Sequence, residues 1–564
     1  MTAPDGLGPE GPAGAPGSRS RAATGTTAPR LAAGEVLPLT RRLGGCPDPL
    51  ALFARLSDGG RRPDTVLLES ADGATGRDSR SILVARAALR LTCRGREVTV
   101  TALTPNGAAL LPWLAARAEG MARVRRSGAG FVAAFAAAGR GELPDAERVR
   151  RSSPLDVLRL AVTEPRVVSE PAPFIHFAAA ALSYDLIDVF EDLPAPRHPG
   201  AAWPTFEAWV PDRVIVVDHA QRATTVLAAV WGGEGGGADA AANYHDAVRA
   251  VESLTATVAA APEAPGWAGE EAPAPRPAPA SAAVDLSDEA YAAVVRRLQE
   301  HIAAGDIFQA VPSRTFTLPC RDPLAAYVRL RRSNPSPYMF FVNGSAGTLF
   351  GASPETSVRV AGDPRTVTLR PIAGTVRRAT LPDGSRDLEG DARGEVALRT
   401  DAKELAEHLM LVDLARNDVA RVSRPGTRRV TRLLDVDRFS HVLHLVSEVT
   451  GELAPGCDAL HAYAASMNMG TVVGAPKLRA AELLRALEPT ARGAYGGAVG
   501  YLTHDGELDT ALVIRAALVQ GGTAAVRAGA GVVAASDPGR EALETRHKAA
   551  AVLAAVAESE AAHD

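Results

Sequence analysis

The sequence predicts a globular fold in which strands and helices are mixed, and three observations predict it. Strand-like runs recur at 65–68, 96–103, 214–217 and 224–229, and alternating runs follow at 346–360, 366–370 and 497–503. Ala-rich stretches at 108–139 and 146–161, with a shorter pattern at 240–259, read as helices. The chain is 564 residues long, 46% hydrophobic and 22% charged, enough to bury most of its apolar surface. At about 150 residues per domain that length suggests roughly three to four domains, or one large body.

The 61 basic and 65 acidic side chains leave a formal charge of −4, so nothing electrostatic favours nucleic acid or an anionic membrane as a partner. Cys46, Cys93, Cys320 and Cys457 are far apart and form no CxxC or Cys/His pair. That argues against a zinc ribbon or a disulfide scaffold and fits a reducing compartment. No run approaches a charge-free membrane span, and residues 1–33 lack the apolar core of a signal peptide. The expected location is cytoplasmic.

Residues 1–33 read as a disordered tail of low complexity. An N-terminal domain is expected over 34–231. A flexible insertion or linker over 232–284 follows, opened by the glycines of 232–237 and dense in Pro, Ala and Glu across 261–279. The remaining 285–564 is the expected catalytic domain.

Only Lys403, Lys477 and Lys548 among the basic residues are lysine. Bias towards arginine codons accounts for most of that imbalance, and each remaining lysine then marks a place where a planar guanidinium would not substitute. All three lie in the last third of the chain. There, Leu405, Leu409 and Val412 fall at helical spacing as an inward stripe, with Glu404 and Glu407 three apart on another face. Such a carboxylate pair suits Mg²⁺, and equally a solvated helix face. Glu541 and Glu544 repeat the spacing. Gly529-Ala530-Gly531 offers backbone N–H groups to an anion or makes a plain turn. Gly470 to Lys477 has a phosphate loop's glycines and lysine but not its Gly-Lys-Ser/Thr ending, which excludes an NTPase. Arg370 to Thr375 is a Pro/Gly loop. His444 sits in an apolar pattern over 442–449 that reads as helical and makes it either a core histidine or a functional one.

In this order these features resemble the chorismate-utilising enzymes, in their anthranilate synthase component I branch. The strings that carry the resemblance are GDIFQAVPSR (305–314), NPSPYMFF (334–341), GASPE (351–355), RPIAGT (370–375), the Glu404/Glu407 segment, HLVSEVTGEL (444–453), MNMGTVVGAPK (467–477), GAYGGAVGY (493–501), DTALVIRAAL (509–518), AGAGVV (528–533) and ETRHK (544–548). The resemblance is close over about 290–555 and looser before it, through Leu67 to Ser70.

It implies an α+β fold: large antiparallel β-sheets packed face to face with outer helices, and the active site in a cleft of the C-terminal part. It further implies that Glu407 and Glu544 hold Mg²⁺, with Glu404 and Glu541 one turn away as outer ligands. Arg515 would grip a substrate carboxylate, and Gly374, Thr375, Thr471, Tyr495, Gly529, Ala530, Gly531 and Lys548 would complete the cradle. Glu355 would be the general acid for the departing 4-hydroxyl, and His444 would remove the ring proton as pyruvate leaves.

Relatives that add water carry a lysine base where this chain has Gln309. Glutamine is no useful base, whereas ammonia needs only placement. Ala373 stands where relatives that make 4-amino-4-deoxychorismate commonly carry a nucleophilic lysine. Both positions imply amination at ring carbon 2, with Gln309 a catalytic residue alongside Glu355 and His444. No Gly-x-Cys-x-Gly elbow is present, so the ammonia implies a separate glutamine amidotransferase subunit. The N-terminal half implies feedback by tryptophan, with Glu69 and Ser70 on one wall and Asn334, Pro335, Tyr338 and Met339 on the other. Two rivals stand beside this reading: a synthase that stops at 2-amino-2-deoxyisochorismate, which shares nearly every residue named, and an inactive tryptophan-binding paralogue, which predicts a damaged metal pair or acid although Glu355, Glu407, Glu544 and His444 are all present.

Overall fold

The computed structural model describes residues 29–70, 79–136, 145–169, 173–199, 203–234, 238–264, 282–381, 383, 385–438 and 442–562. Most of the expected tail and of the 261–279 break lie outside the described residues.

Two long antiparallel strands, Arg80–Arg94 and Phe206–Asp218, organise the chain, paired from Arg80 opposite Asp218 to Cys93 opposite Phe206. Their register slips between Val84 and Leu89, and bulges of this kind bend a strand. The bend lets each strand serve two sheets. The first half of Arg80–Arg94 pairs with Thr65–Glu69 and the second with Glu97–Ala102. Phe206–Asp218 likewise divides between Ala223–Trp231 and Phe177–Leu182.

One sheet continues from Thr65–Glu69 through Tyr338–Gly344, Gly347–Ser353, Ala516–Gln520 and Thr523–Gly529 to Ser313–Pro319. The other continues from Phe177–Leu182 through Ala498–Thr503, Leu508–Leu512, Thr356–Ala361 and Thr366–Leu369 to Val442–Glu452. The outermost of these also pairs with Ile372–Arg377 and Arg429–Arg438. All these pairings are antiparallel, and each sheet joins strands from the N-terminal part of the chain, side by side, to strands from its C-terminal half.

The sheets face each other. Phe340, Val342, Leu349 and Leu518 of the first share a core with Val358, Val360, Val499 and Leu512 of the second. The intervening residues of the first sheet, Met339, Phe341, Phe350, Ala517 and Val519, point to its opposite face, where the helices Pro49–Leu56, Pro323–Ser333 and Pro538–Ala561 cover them. The fold is therefore α+β, with antiparallel sheets packed face to face and helices outside.

Several expectations about local structure are corrected. The helix expected over 108–139 ends at Ala118, and Arg123–Ser127 with Gly130–Ala134 forms a hairpin on Glu97–Ala102. Cross-strand pairing and burial of Phe131 outweigh the helical preference of its alanines. The 442–449 pattern is a strand, Val442–Glu452. Leu443 and Leu445 are buried on one side, and His444 and Val446 are buried too, so no alternation shows in hydropathy. On the helix Ala402–Ala420, Leu409 faces solvent at 48% exposure, and the buried stripe is Leu411, Val412, Ala415 and Val419. Gly529 ends a strand, and the chain stays extended to a bridge between Val532 and Ala310 rather than turning.

Candidate active site

The candidate residues gather where the chain crosses between sheets. Glu355 lies on the crossover from Gly347–Ser353 to Thr356–Ala361, and Arg515 on the crossover from Leu508–Leu512 to Ala516–Gln520. The two crossovers are tied together: the Leu512 N–H donates to the Glu355 carbonyl at 3.0 Å, and the Ala352 N–H to the Arg515 carbonyl at 3.1 Å. Arg515 takes φ +52°, a left-handed conformation that costs a side-chain-bearing residue energy and is held by these bonds.

Glu355 is buried, and Thr471 Oγ1 donates to its Oε1 at 2.8 Å. Burial raises the carboxyl to about 7, against the opposing pull of the Thr471 hydroxyl, Lys548 and Arg515. Burial likewise lowers the Arg515 guanidinium, while Glu544, Tyr495 and Glu355 sustain its charge. Lys548 Nζ bonds the Gly529 carbonyl at 3.1 Å and Glu544 Oε1 at 2.7 Å. These two residues are one turn apart on Pro538–Ala561, so one helix face presents a cation and a carboxylate together.

His444 stands opposite Thr375, with a register slip at Gly374, whose φ is +73°. A Cβ at Gly374 would lie 2.8 Å from Leu398 Cδ1 and 3.1 Å from Glu404 Oε2. Only glycine allows that bulge and the approach of Glu404. The His444 ring bonds the Gly374 backbone, and burial first, then Arg515, lowers it to about 4. It is therefore neutral through the physiological range. The Thr375 side chain lies outside what is described.

Gln309 is buried, its Oε1 has no hydrogen-bond partner among the described residues, and its Nε2 lies 2.8 Å from where a Gly531 Cβ would be. A Cβ at Gly529 would meet the Tyr495 hydroxyl at 3.0 Å. Tyr495 also lines a cavity of about 490 Å³ with Arg492, Arg527 and Val513. Ala530 is buried, and its N–H donates to the Tyr291 hydroxyl at 3.2 Å. That N–H is spoken for within the fold.

Glu541 is buried and Glu407 lies one turn from Glu404. Among the described residues no three His, Cys, Asp or Glu side chains converge on one point. Mg²⁺ asks for less, because it takes one or two carboxylates and fills its shell with water or substrate oxygens. Carboxylates on two helices, with oxygen as the only donor atom, fit that chemistry. Lys477 acts elsewhere, at the start of the helix Lys477–Leu487. Its ammonium bonds buried Asp418 of the helix Ala402–Ala420 and, at 3.0 Å, the Ser466 carbonyl, which ties its loop to two other helices.

Away from the cleft, register sets Glu69 opposite Met339, with Ser70 next along the chain. The Glu69 carboxylate is already engaged, by Tyr327 Oη at 2.6 Å and by Arg331 Nε and Nη2 at 3.1 Å each. Tyr338 turns its hydroxyl to Thr356 and Asp509, both at 3.0 Å. Asn334, Pro335 and Met339 border the same strand end, with Asn334 capping the helix Pro323–Ser333. Sequence reasoning missed the buried cluster of Glu488, Arg492 and Arg527, because the GAYGGAVGY string begins one residue after Arg492 and nothing in composition separates a buried arginine from the many exposed ones.

The fold has two facing antiparallel sheets, and Arg515 lies within electrostatic reach of both Glu355 and His444. The chain matches the model of the chorismate binding enzymes over residues 116–554, and it belongs to that family. It is 44% identical to anthranilate synthase component 1 of Vibrio cholerae serotype O1, covering 94% of this chain and 97% of that one. It is 45% identical to anthranilate synthase component 1 of Escherichia coli strain K12, over 90% and 95% of the two chains. The crystal structure of anthranilate synthase component I from Streptococcus pneumoniae TIGR4 superposes with a TM-score of 0.63 at 27% identity, covering 84% and 92%.

Proposed function

We propose that the chain aminates chorismate at ring carbon 2 and then eliminates pyruvate to give anthranilate, using ammonia from a separate glutamine amidotransferase subunit. The observation that carries this reading is that Arg515, on a strained crossover, lies within electrostatic reach of both a buried carboxyl near neutrality, Glu355, and a neutral histidine, His444. Its relatives' designation as component 1 supports a partner subunit.

Arg515 binds one substrate carboxylate by a charge-assisted bond. Ammonia forms the new C–N bond at carbon 2 as both ring double bonds shift and the bond from carbon 4 to its hydroxyl breaks, and the ammonium so formed loses its extra proton to solvent. Glu355, whose carboxyl burial raises to about 7, gives its proton to the departing oxygen, which leaves as water. The Gln309 carbonyl, which has no other hydrogen-bond partner among the described residues, accepts a hydrogen bond from the incoming amine in this reading. In the second half His444 removes the proton from carbon 2. The ring becomes aromatic, the ether bond at carbon 3 breaks and the enolpyruvyl group leaves to become pyruvate. The lowered pKa of His444 keeps it unprotonated and able to take that proton. Glu407 and Glu544, with Glu404 and Glu541 beside them, would hold Mg²⁺, which neutralises the ring carboxylate when bound. Lys548 and Tyr495 border the same cradle, with the backbone of Gly374, Gly529, Ala530 and Gly531.

Tryptophan is the proposed inhibitor, at Glu69, Ser70, Asn334, Pro335, Tyr338 and Met339. Because Arg331 and Tyr327 occupy the Glu69 carboxylate, a ligand ammonium there must share or displace them. The test of the catalytic reading is the purified chain with chorismate, Mg²⁺ and ammonium at alkaline pH. Anthranilate with equimolar pyruvate is expected. An aminated product that keeps its enolpyruvyl group, or isochorismate, would overturn it.

A further inference from the structure

Residues 311–313, 472 and 488–492 meet in the interior, and one side chain joins them. Arg492 Nη1 donates to the Val472 carbonyl at 2.6 Å, and Nη2 to the Val311 carbonyl at 2.7 Å. Glu488 holds the guanidinium from the other side, accepting from Nη2 at 2.6 Å and Nε at 3.0 Å. Glu488 is itself fixed by the N–H and hydroxyl of Ser313, both at 2.8 Å, and by Arg527 at 2.9 Å. All four side chains are buried. The guanidinium lies 4.7 Å from the Tyr184 ring centre and 5.7 Å from that of Tyr495.

The two carbonyls matter because of their neighbours. Val472 follows Thr471 in the helix Gly470–Val473, which spans four residues and has no side-chain cap. A single turn does not hold itself, since nucleation costs more than one bond returns. Thr471 is the residue whose hydroxyl meets Glu355. Val311 lies two residues beyond Gln309, and its N–H donates to the Val473 carbonyl at 2.9 Å. The fork of Arg492 therefore sets the spacing between the Thr471 turn and the Gln309 segment.

We propose that Arg492, held by Glu488, is a positioning residue for the acid: its two-armed grip on Val472 and Val311 fixes the turn from which Thr471 reaches Glu355. This deepens the reaction proposed above but stands on geometry independent of it. Lysine can reach one carbonyl and not both, so Arg492→Lys keeps the charge and loses the spacing.

The test reads Glu355 directly, as the carbonyl band of its protonated carboxyl group in infrared difference spectra against Glu355→Gln. Lys548 and Arg515 also face Glu355 and are unchanged in every variant. Thr471→Val removes the bond that favours the carboxylate and is expected to move the titration midpoint upward. Arg492→Lys is expected to move it the same way, and the double variant no further. Glu488→Gln, which loosens the grip without altering its fork, should give a smaller shift of the same sign and covers the case in which Arg492→Lys fails to fold. With chorismate, Arg492→Lys should lower kcat about tenfold and leave KM nearly unchanged. A midpoint unmoved in both clamp variants, or shifts that add in the double variant, would overturn the inference. The infrared titration needs no substrate. A chain that failed to aminate chorismate would therefore sink the proposed reaction without touching this result.

Discussion

Thr471 Oγ1 donates a 2.8 Å hydrogen bond to Glu355 Oε1, joining residues that are 116 positions apart. The bond favours the ionised form, burial favours the neutral one, and burial prevails, leaving the carboxyl at about 7. A carboxyl so balanced can hold a proton at working pH and release it to a leaving oxygen.

Glu355→Gln is expected to lower kcat by a factor of roughly 10² to 10⁴, the usual worth of a positioned acid. Wild-type kcat should fall on an alkaline limb near pH 7 that the variant lacks. The same shift acts on stability. Between the unfolded value of 4.5 and about 7 the unfolded chain ionises first, so stability falls as pH rises and the full cost is present above about 7. The glutamine variant should therefore be more stable than wild type at pH 8, and urea melts at pH 4 and pH 8 would check the sign.

His444→Ala should divide the reaction. Amination continues while loss of pyruvate slows by about 10² or more, and an aminated product that retains the enolpyruvyl group accumulates. Because the ring is held at about 4, the elimination step should be flat in pH from about 5 upward, where an ordinary histidine would titrate. Mass analysis of quenched time courses reads both.

Gly374→Ala places a methyl group 3.1 Å from Glu404 Oε2 and 2.8 Å from Leu398 Cδ1, at a backbone φ of +73°. A cost of about 1–3 kcal/mol in stability is expected from the strained conformation. If Glu404 assists Mg²⁺, the variant should also need more of the ion. Activity abolished by a chelator and restored by titrated Mg²⁺ would give the two half-saturation values to compare.

Lys477→Met leaves the Asp418 carboxylate buried without its partner. A loss of about 3 kcal/mol is expected, measured by urea denaturation. Inorganic pyrophosphate should leave the melting temperature of wild type unchanged, since the ammonium that a phosphate would seek is already engaged.

Arg331→Met should cost a similar amount, because Glu69 is 4% exposed and Arg331 is its ion-pair partner at 3.1 Å. In Glu69→Gln the carboxylate is gone, and tryptophan inhibition should weaken if its ammonium binds there. Calorimetric titration of tryptophan into that variant and into wild type makes the comparison.

The sequence by itself was enough for the reaction class, because short strings in fixed order carry chemistry that composition cannot mimic, and Glu355, Arg515, His444 and Gln309 could be named from them. Helices with one wet face, such as 240–259, and strands such as 366–370 were also legible. Where both faces are buried, as in Val442–Glu452 and Tyr338–Gly344, hydropathy loses its period, and His444 read as helical. Only the tertiary structure decided which polar groups meet. Whether Lys477 serves a phosphate or Asp418, whether Glu69 stands open or is held by Arg331, and that Arg492 bridges Val472 and Val311, depend on contacts between segments far apart in the chain. Such contacts exist only after the sheets have packed, and a buried charge takes its properties from those neighbours rather than from its own place in the sequence.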